Sequence, residues 1–459
     1  MIPVMAIETV NPATGETLRT YDEIPPEEAA RLVDQAHEAF LSWRKVGFAE
    51  RSRLMQDAAR QLRRRQDEFA RLMAEEMGKP LAAGRSEVEK CAGACEHYAA
   101  NAEAFLQVEE VKTDASRSFV TFEPLGVILA VMPWNFPFWQ VFRFAAPGLM
   151  AGNAGVLKHA SNVPGCALAI EEVFRDAGFP AGLFKTLLVG SSQVDRLIEH
   201  PRIAAVTLTG STPAGQAVAA KAGSCLKKTV LELGGSDPYL ILEDADLDAA
   251  VETCVASRLI NSGQSCIAAK RFLFPRALAS EVERRFVETM RAKKMGDPTA
   301  DGVEVGPQAR RDLRDDLHRQ VEESVKAGAR LLLGGEVPAG EGAFYPPTVL
   351  ADVRPGMAAF DEETFGPVAA LIPVEDEEEA IRLANQSVFG LGAAVFTRDR
   401  QRGEEIAAHR LEAGCCFVND FVRSDPRLPF GGIKQSGYGR ELGEYGIKEF
   451  VNIKTVFVK

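Results

Sequence analysis

Ala204-Ala205-Val206-Thr207-Leu208-Thr209-Gly210-Ser211-Thr212-Pro213-Ala214-Gly215 runs from a short apolar segment through a Gly-Ser turn into a helix opening with proline in its first turn. Strand, tight turn and helix in direct succession make half of a βαβ unit. The same texture extends to both sides. Apolar runs at Val127 to Val131, Gly155 to Leu157, Phe184 to Val189 and Thr229 to Leu233 alternate with helical segments near 140–151, 164–177, 192–200 and 212–223. This alternation predicts an α/β fold with a doubly wound parallel sheet. Pro164 reads as a first-turn proline with Asn162 as its upstream cap.

A second α/β set follows. Its strand-like runs are Tyr239 to Leu242, Arg271 to Phe274, Ala369 to Val374, Gly392 to Thr397 and Cys415 to Val418. Helical patterns lie at Asp246 to Ile260, Ala279 to Met295, Gln308 to Ala327 and Glu377 to Gln386. The first hundred residues read as helices, with one long pattern from Glu50 to Met77 that Gly78 and Pro80 stop. The arginines between Arg60 and Arg65 stand among carboxylates, so a solvated helix face is expected. Glu449 to Val458 alternates as a strand and needs a pairing partner, in this chain or another subunit.

With 459 residues, two or three domains are expected. A net charge of −12 argues against nucleic acid or an anionic membrane as the main partner. Glu8 interrupts the apolar start, so no secretory leader is expected, and no apolar run reaches the length of a membrane span. Eight cysteines without a C-x-x-C pair, with six scattered histidines, give a metal site no support. Thiols in this number fit a reducing, cytoplasmic compartment.

Three short runs carry chemistry. Asn261-Ser262-Gly263-Gln264-Ser265-Cys266 places a thiol in a turn-rich loop, as a nucleophile or as one more packed cysteine. Glu232 ends an apolar run, so it is either a desolvated base or the partner of Lys227 or Lys228. Asn135, between Pro133 and Pro137, can donate to an oxyanion or cap the helix that follows. Gly210 and Ser211 open a helix whose amides can face an anion, although such turns are common. Lys158 is a candidate ribose or phosphate contact, or a surface lysine.

Together these residues resemble the aldehyde dehydrogenase superfamily along the whole chain. The resemblance rests on Pro133-Trp134-Asn135-Phe136-Pro137, Leu231-Glu232-Leu233-Gly234-Gly235, Gly263-Gln264-Ser265-Cys266, Glu363-Thr364-Phe365-Gly366-Pro367 and Pro429-Phe430-Gly431-Gly432, in the family's order. Within it, the chain is most similar to short bacterial succinate-semialdehyde dehydrogenases that use NAD or NADP. The resemblance implies a dinucleotide-binding domain over 1–117 and 134–231, a catalytic domain over 232–428, and a β arm for oligomerisation over 118–133 and 440–459. A homodimer or dimer of dimers is expected.

By the same similarity, Cys266 attacks the aldehyde, Asn135 and the Cys266 N–H hold the oxyanion, and Glu232 activates the hydrolytic water. Trp134, Lys158, Ser161, Gly210, Ser211, Leu233, Glu363 and Phe365 would hold the cofactor. Ser161 stands where many NAD-preferring relatives carry Glu, so NADP is expected to be accepted at least as well as NAD. For the substrate, Arg143 is the expected carboxylate anchor unless it is spent in an ion pair. The family's second arginine is Ile260 here, leaving Arg423 or Ser424 to complete the anchor and Phe430 to flank the substrate tunnel. The alternatives are another short aldehyde (glutarate semialdehyde or a simple alkanal), a CoA-acylating relative, a cofactor-free thiol hydrolase, or a non-catalytic scaffold.

Overall fold

A computed structural model describes residues 6–459. The N-terminal leader reading rests partly on residues outside that range. Two large sheets organise the chain. The first runs in the order Gly437–Tyr438, Lys228–Glu232, Ile203–Thr209, Val127–Met132, Ala154–His159, Phe184–Thr186. Its last five strands are parallel, and the short Gly437–Tyr438 strand adds antiparallel to Lys228–Glu232.

The second sheet has seven strands: Arg330–Leu333, Thr348–Ala351, Val368–Val374, Arg271–Pro275, Pro238–Ile241, Gly392–Phe396 and Cys415–Val418. All its pairs are parallel except Arg330–Leu333 with Thr348–Ala351. Successive residues along its strands enter different cores. Leu240, Leu273, Ala370 and Val395 pack on one face. Tyr239, Phe272, Ala369 and Ala394 pack on the other. Helices cover both faces, as buried parallel strands require.

Several expectations are corrected. The opening is not wholly helical: Ala6–Val10 pairs antiparallel with Thr17–Asp22 before the first helix, Pro26–Trp43. The long pattern from Glu50 to Met77 is two helices, Phe48–Arg64 and Gln66–Met77, broken at Arg65. Gly78 then ends the second with a left-handed φ of 78°. Val127–Met132 does not belong to a projecting arm. It is fully apolar and lies inside the first sheet, between Ala154–His159 and Ile203–Thr209. Arg117–Pro124 instead belongs to a separate three-stranded sheet, pairing along its length with Val451–Val458 of the same chain and with Glu109–Glu110 on its other side.

Asn162 does not cap the helix Pro164–Asp176. Instead the carboxylate of Glu76, on the helix Gln66–Met77, accepts the N–H groups of Gly165 and Cys166 at 2.9 and 3.0 Å. A second borrowed cap sits closer to the site. Glu87, on the helix Leu81–Phe105, accepts the N–H groups of Phe138 and Trp139, both at 2.9 Å. An anion at each helix start satisfies amides that have no partner within the helix.

Candidate active site

The functional residues collect at the carboxyl ends of the parallel strands, where open α/β sheets bind ligands. Glu232 closes the strand Lys228–Glu232, and Thr209, followed by Gly210 and Ser211, closes Ile203–Thr209. Pro133, Trp134 and Asn135 follow Val127–Met132, and Lys158 lies in Ala154–His159. The adjacent His159 is buried. Its Nδ1 accepts the Ala160 N–H at 2.9 Å, so its Nε2 donates to the Pro137 carbonyl, also at 2.9 Å. Burial pushes the imidazole down to about 4, keeping it neutral and fixing the turn that carries Asn135.

The loop bearing the thiol is held in an uncommon conformation. Asn261, Ser262 and Gly263 all have left-handed φ, at 53°, 58° and 80°. Non-glycine residues there cost about 1 kcal/mol or more each and persist only where the surroundings hold them. Here the Asn261 amide donates to the carbonyls of Asn135 and Gln264 at 2.7 and 3.1 Å. The Ser262 hydroxyl accepts the Gly306 N–H at 2.8 Å, and Arg258 donates to the Gly263 carbonyl at 2.6 Å. Gly263 is obligatory, because a Cβ would stand 2.3 Å from the Gly366 carbonyl. The Asn135 side chain joins the same network, its Nδ2 donating to the Gln264 carbonyl at 3.1 Å.

Beyond the loop, the buried Lys270 ammonium donates to the carbonyls of Ser265, Cys266 and Ala268 at 3.0, 2.9 and 3.1 Å. Sequence reasoning missed this lysine. Its signal was the four-residue spacing from Cys266, but the direction of the carbonyls could not be read.

Cys266 lines a cavity of about 310 Å³ together with Asn135, Trp134, Gly210, Ser211 and Glu363. Leu233 and Phe365 share the wall, and the Trp134 and Phe365 rings meet edge to face at 5.7 Å. Burial pushes the Cys266 thiol up to about 12; the positive charge of Arg143 opposes the shift, while Glu363 and Glu232 add to it. The thiol is therefore protonated at neutral pH and needs a base to become a nucleophile.

Glu232 is 2% exposed, and neither oxygen has a hydrogen-bond partner among the described residues. Its alternative partners Lys227 and Lys228 are engaged elsewhere, with the Ile198 and His200 carbonyls and with Glu449. Burial raises the Glu232 carboxyl well above the ordinary range, against the pull of Arg143. Gly431 makes room for it, since a Cβ there would lie 2.7 Å from Oε1.

Glu363 Oε1 accepts the Gly235 N–H at 2.9 Å and lies 3.7 Å from the Lys270 ammonium. The two glycines after Leu233 leave room for Glu363 and for the Cys266 backbone. A Cβ on Gly234 would meet Glu363 Oε2 at 2.5 Å, and one on Gly235 would meet the Cys266 carbonyl at 2.6 Å.

The cavity geometry fits a dinucleotide. The helix Thr212–Ser224 opens at Ser211 without a side-chain cap, so its first amides stay available. Lys158 is half-buried and makes no ion pair among the described residues, and Ser161 is exposed. Both stand outside the cavity wall.

The substrate residues are rearranged relative to expectation. Arg143 is 2% exposed and ion-paired with Glu441, with Nη2 donating to Thr209 Oγ1 at 3.3 Å. Its guanidinium lies 4.8 Å from the centre of the Phe430 ring, which is itself buried. Arg143 is thus committed to a carboxylate of this chain. Arg423 is exposed and pairs with Asp420 at 2.7 Å, so it does not complete an anchor. Ser424 is buried, its hydroxyl accepting from Lys90 at 2.8 Å and from Trp139 Nε1 at 3.0 Å.

The aldehyde dehydrogenase family model matches residues 4–456. The chain belongs to the aldehyde dehydrogenase family. Among its relatives, a probable succinate-semialdehyde dehydrogenase [NADP(+)] from Synechocystis sp. is 52% identical over 454 residues, covering 99% of this chain and 100% of the relative. The succinate semialdehyde dehydrogenase [NAD(P)+] of Escherichia coli K12 is 49% identical, covering 98% and 97%. In three dimensions, a crystal structure of succinic semialdehyde dehydrogenase from Streptococcus pyogenes with NADP+ superposes with a TM-score of 0.96. It is 38% identical and covers 99% of this chain and 100% of that one. Among the described residues of this aldehyde dehydrogenase, no cluster of His, Cys, Asp and Glu is arranged to hold a metal ion. No described helix is long and apolar enough to cross a membrane.

Proposed function

We propose that this aldehyde dehydrogenase oxidises succinate semialdehyde to succinate with NADP or NAD. The observation that carries the chemistry is the buried Glu232 carboxyl, which has no hydrogen-bond partner among the described residues and whose charge acts on Cys266. The two relatives at about half identity, matched over nearly their whole lengths, support the substrate.

Glu232, directly or through a water, takes the thiol proton, and Cys266 Sγ bonds to the aldehyde carbon. The carbonyl oxygen becomes an oxyanion that Asn135 Nδ2 and the Cys266 N–H can hold. When bound, the nicotinamide supplies the hydride acceptor. Once it has released that proton to solvent, Glu232 deprotonates the water that attacks the thioester carbon, the C–S bond breaks, and the acid leaves with Cys266 as thiolate. A retained base favours water over a thiol acceptor such as CoA.

Trp134, Gly210, Ser211, Leu233, Glu363 and Phe365 would hold the dinucleotide, with Glu363 Oε2 available to a ribose hydroxyl. Lys158 and Ser161 would meet the adenosine ribose. Neither carries a negative charge, so a 2′-phosphate meets no carboxylate from them.

The test is a panel of short aldehydes with and without a terminal carboxylate, each run with NAD and NADP. We expect succinate semialdehyde to have the highest kcat/KM and NADP to serve at least as well as NAD. Butanal outperforming the semialdehyde would refute the substrate, and a strong preference for NAD would refute the cofactor reading.

We further infer that the chain self-associates through its last strand. Val451–Val458 is an edge strand carrying exposed Ile453, Phe457 and Val458, an arrangement that monomeric proteins avoid. Sedimentation of Ile453→Lys/Phe457→Lys against wild type reads this directly. An unchanged, monomeric wild type would refute it.

A further inference from the structure

A second cavity, of about 400 Å³, is lined by residues next to the Asn135 turn. Phe136 and Asn261 line it, one next to Asn135 in sequence and the other bonded to the Asn135 carbonyl at 2.7 Å. It therefore adjoins the turn that carries Asn135 and shares no wall residue with the dinucleotide cavity. Ile260, which stands where relatives place a second arginine, is in its wall. So is Lys90, projecting from the helix Leu81–Phe105.

The Lys90 ammonium is half-buried, sits 4.2 Å from the Trp139 ring centre and donates to Ser424 Oγ at 2.8 Å. It makes no ion pair among the described residues. The cavity's other lysine, Lys293, is paired with Glu304 at 2.9 Å. Glu87 is held by Lys79 and the two amides it caps. Burial, reinforced by the positive charge of Arg143, pushes Lys90 down to about 8, with Cys91, Glu87 and Asp425 acting too weakly to restore it. Ser424 accepts from both Lys90 and Trp139 Nε1, and its own proton has no acceptor among the described residues. The Lys90 ammonium and the Ser424 hydroxyl thus keep free hydrogens with no anion among the described residues to accept them. A buried cation in that state is stabilised by an incoming carboxylate.

We propose that Lys90 and the Ser424 hydroxyl, the latter held by Trp139 Nε1, bind the terminal carboxylate of the substrate, taking the role that Arg143 has given up to Glu441 and that Ile260 cannot fill. The proposal rests on the semialdehyde reading above and adds the residue that recognises the acid end. It also selects substrate length, because the carboxylate must reach Lys90 while the aldehyde carbon lies at Cys266.

The test compares Lys90→Met, Lys90→Arg and Lys293→Met with wild type, using succinate semialdehyde and butanal. The quantity read is the ratio of kcat/KM for the two aldehydes. Loss of one charge-assisted hydrogen bond predicts a ratio about tenfold lower or more in Lys90→Met. The fall should come mainly from KM for the semialdehyde. Lys90→Arg should recover part of the ratio, which also covers the case in which the methionine variant misfolds, and Lys293→Met should keep it within about twofold. An unchanged ratio in Lys90→Met, no recovery in Lys90→Arg, or an equal loss in Lys293→Met overturns the assignment. If wild type itself shows no preference for the semialdehyde, it is the substrate reading that fails.

Discussion

Lys270 donates to the Cys266 carbonyl at 2.9 Å and to the carbonyls on either side of that residue's turn, so one buried ammonium fixes the backbone of the nucleophile. Its charge is offset by Glu363 at 3.7 Å, the residue that faces the cofactor cavity. Nucleophile and cofactor wall therefore share one cation.

Lys270→Met should retain Cys266 but misplace it. A displacement of about 1 Å costs on the order of a hundredfold in rate, so kcat should fall by about that factor. Alkylation of Cys266 by iodoacetamide, followed by mass spectrometry, reads the thiol independently of turnover. A variant with wild-type kcat and wild-type alkylation would remove the positioning role.

Glu232→Gln removes the base from both halves of the reaction. Without the base, steady-state turnover should drop by roughly 10² to 10⁴. First-turnover product should also form more slowly, because the same change leaves the Cys266 thiol without its base. In wild type the folded Glu232 carboxyl is raised, and catalysis needs it ionised. The rate should therefore climb as pH rises through that raised value, and the limb should vanish in Glu232→Gln. An unaltered pH profile would assign the limb to another group.

Arg143→Met strands the Glu441 carboxylate in a dry site and takes away the charge that opposes the raised Glu232. Removing one partner of a buried pair typically costs about 3–5 kcal/mol. Denaturant unfolding should show a loss of that order, and Arg143→Met/Glu441→Gln should recover part of it. Both aldehydes should suffer alike, which sets Arg143 apart from Lys90. A selective loss for the semialdehyde with no change in stability would return Arg143 to the substrate.

Stability should also depend on pH through carboxyls that the reaction does not use. Burial raises Glu76 to about 7 and Asp237 to about 6. Each folded carboxyl holds its proton more tightly than the unfolded one, so each adds stability below the ordinary carboxyl range. That contribution fades as pH rises from about 4 through about 7, where the folded groups ionise. Unfolding free energies measured from pH 4.5 to 7.5 should carry this downward component, smaller in Glu76→Gln. A component unchanged in that variant would exclude Glu76.

Much of the site was legible because its signals are local. Glu232 ends an apolar run, and burial of that run is what desolvates it. Gly210 and Ser211 follow a strand and open a helix, and the structure keeps both features. What escaped depends on distant partners. Nothing near Arg143 announces Glu441, and nothing near Lys90 announces Ser424. Asn261 and Ser262 take left-handed φ only because Asn135, Gly306 and Gly366 hold them there. The N-terminal hairpin was overlooked although its Thr14-Gly15 turn, with Gly15 at φ 78°, is punctuated in the sequence. Its two strands were absorbed into the helical reading of the segment that follows.

The short strand Gly437–Tyr438 lies along Lys228–Glu232, pairing Gly437 with Glu232 itself, while Gly431 and Glu441 crowd the same carboxylate from the final stretch of chain. The base is therefore kept dry by residues synthesised well after both it and the thiol. A nascent chain carries its thiol long before it has the environment that activates it. The order of synthesis thus delays a reactive cysteine until the domain around it has closed.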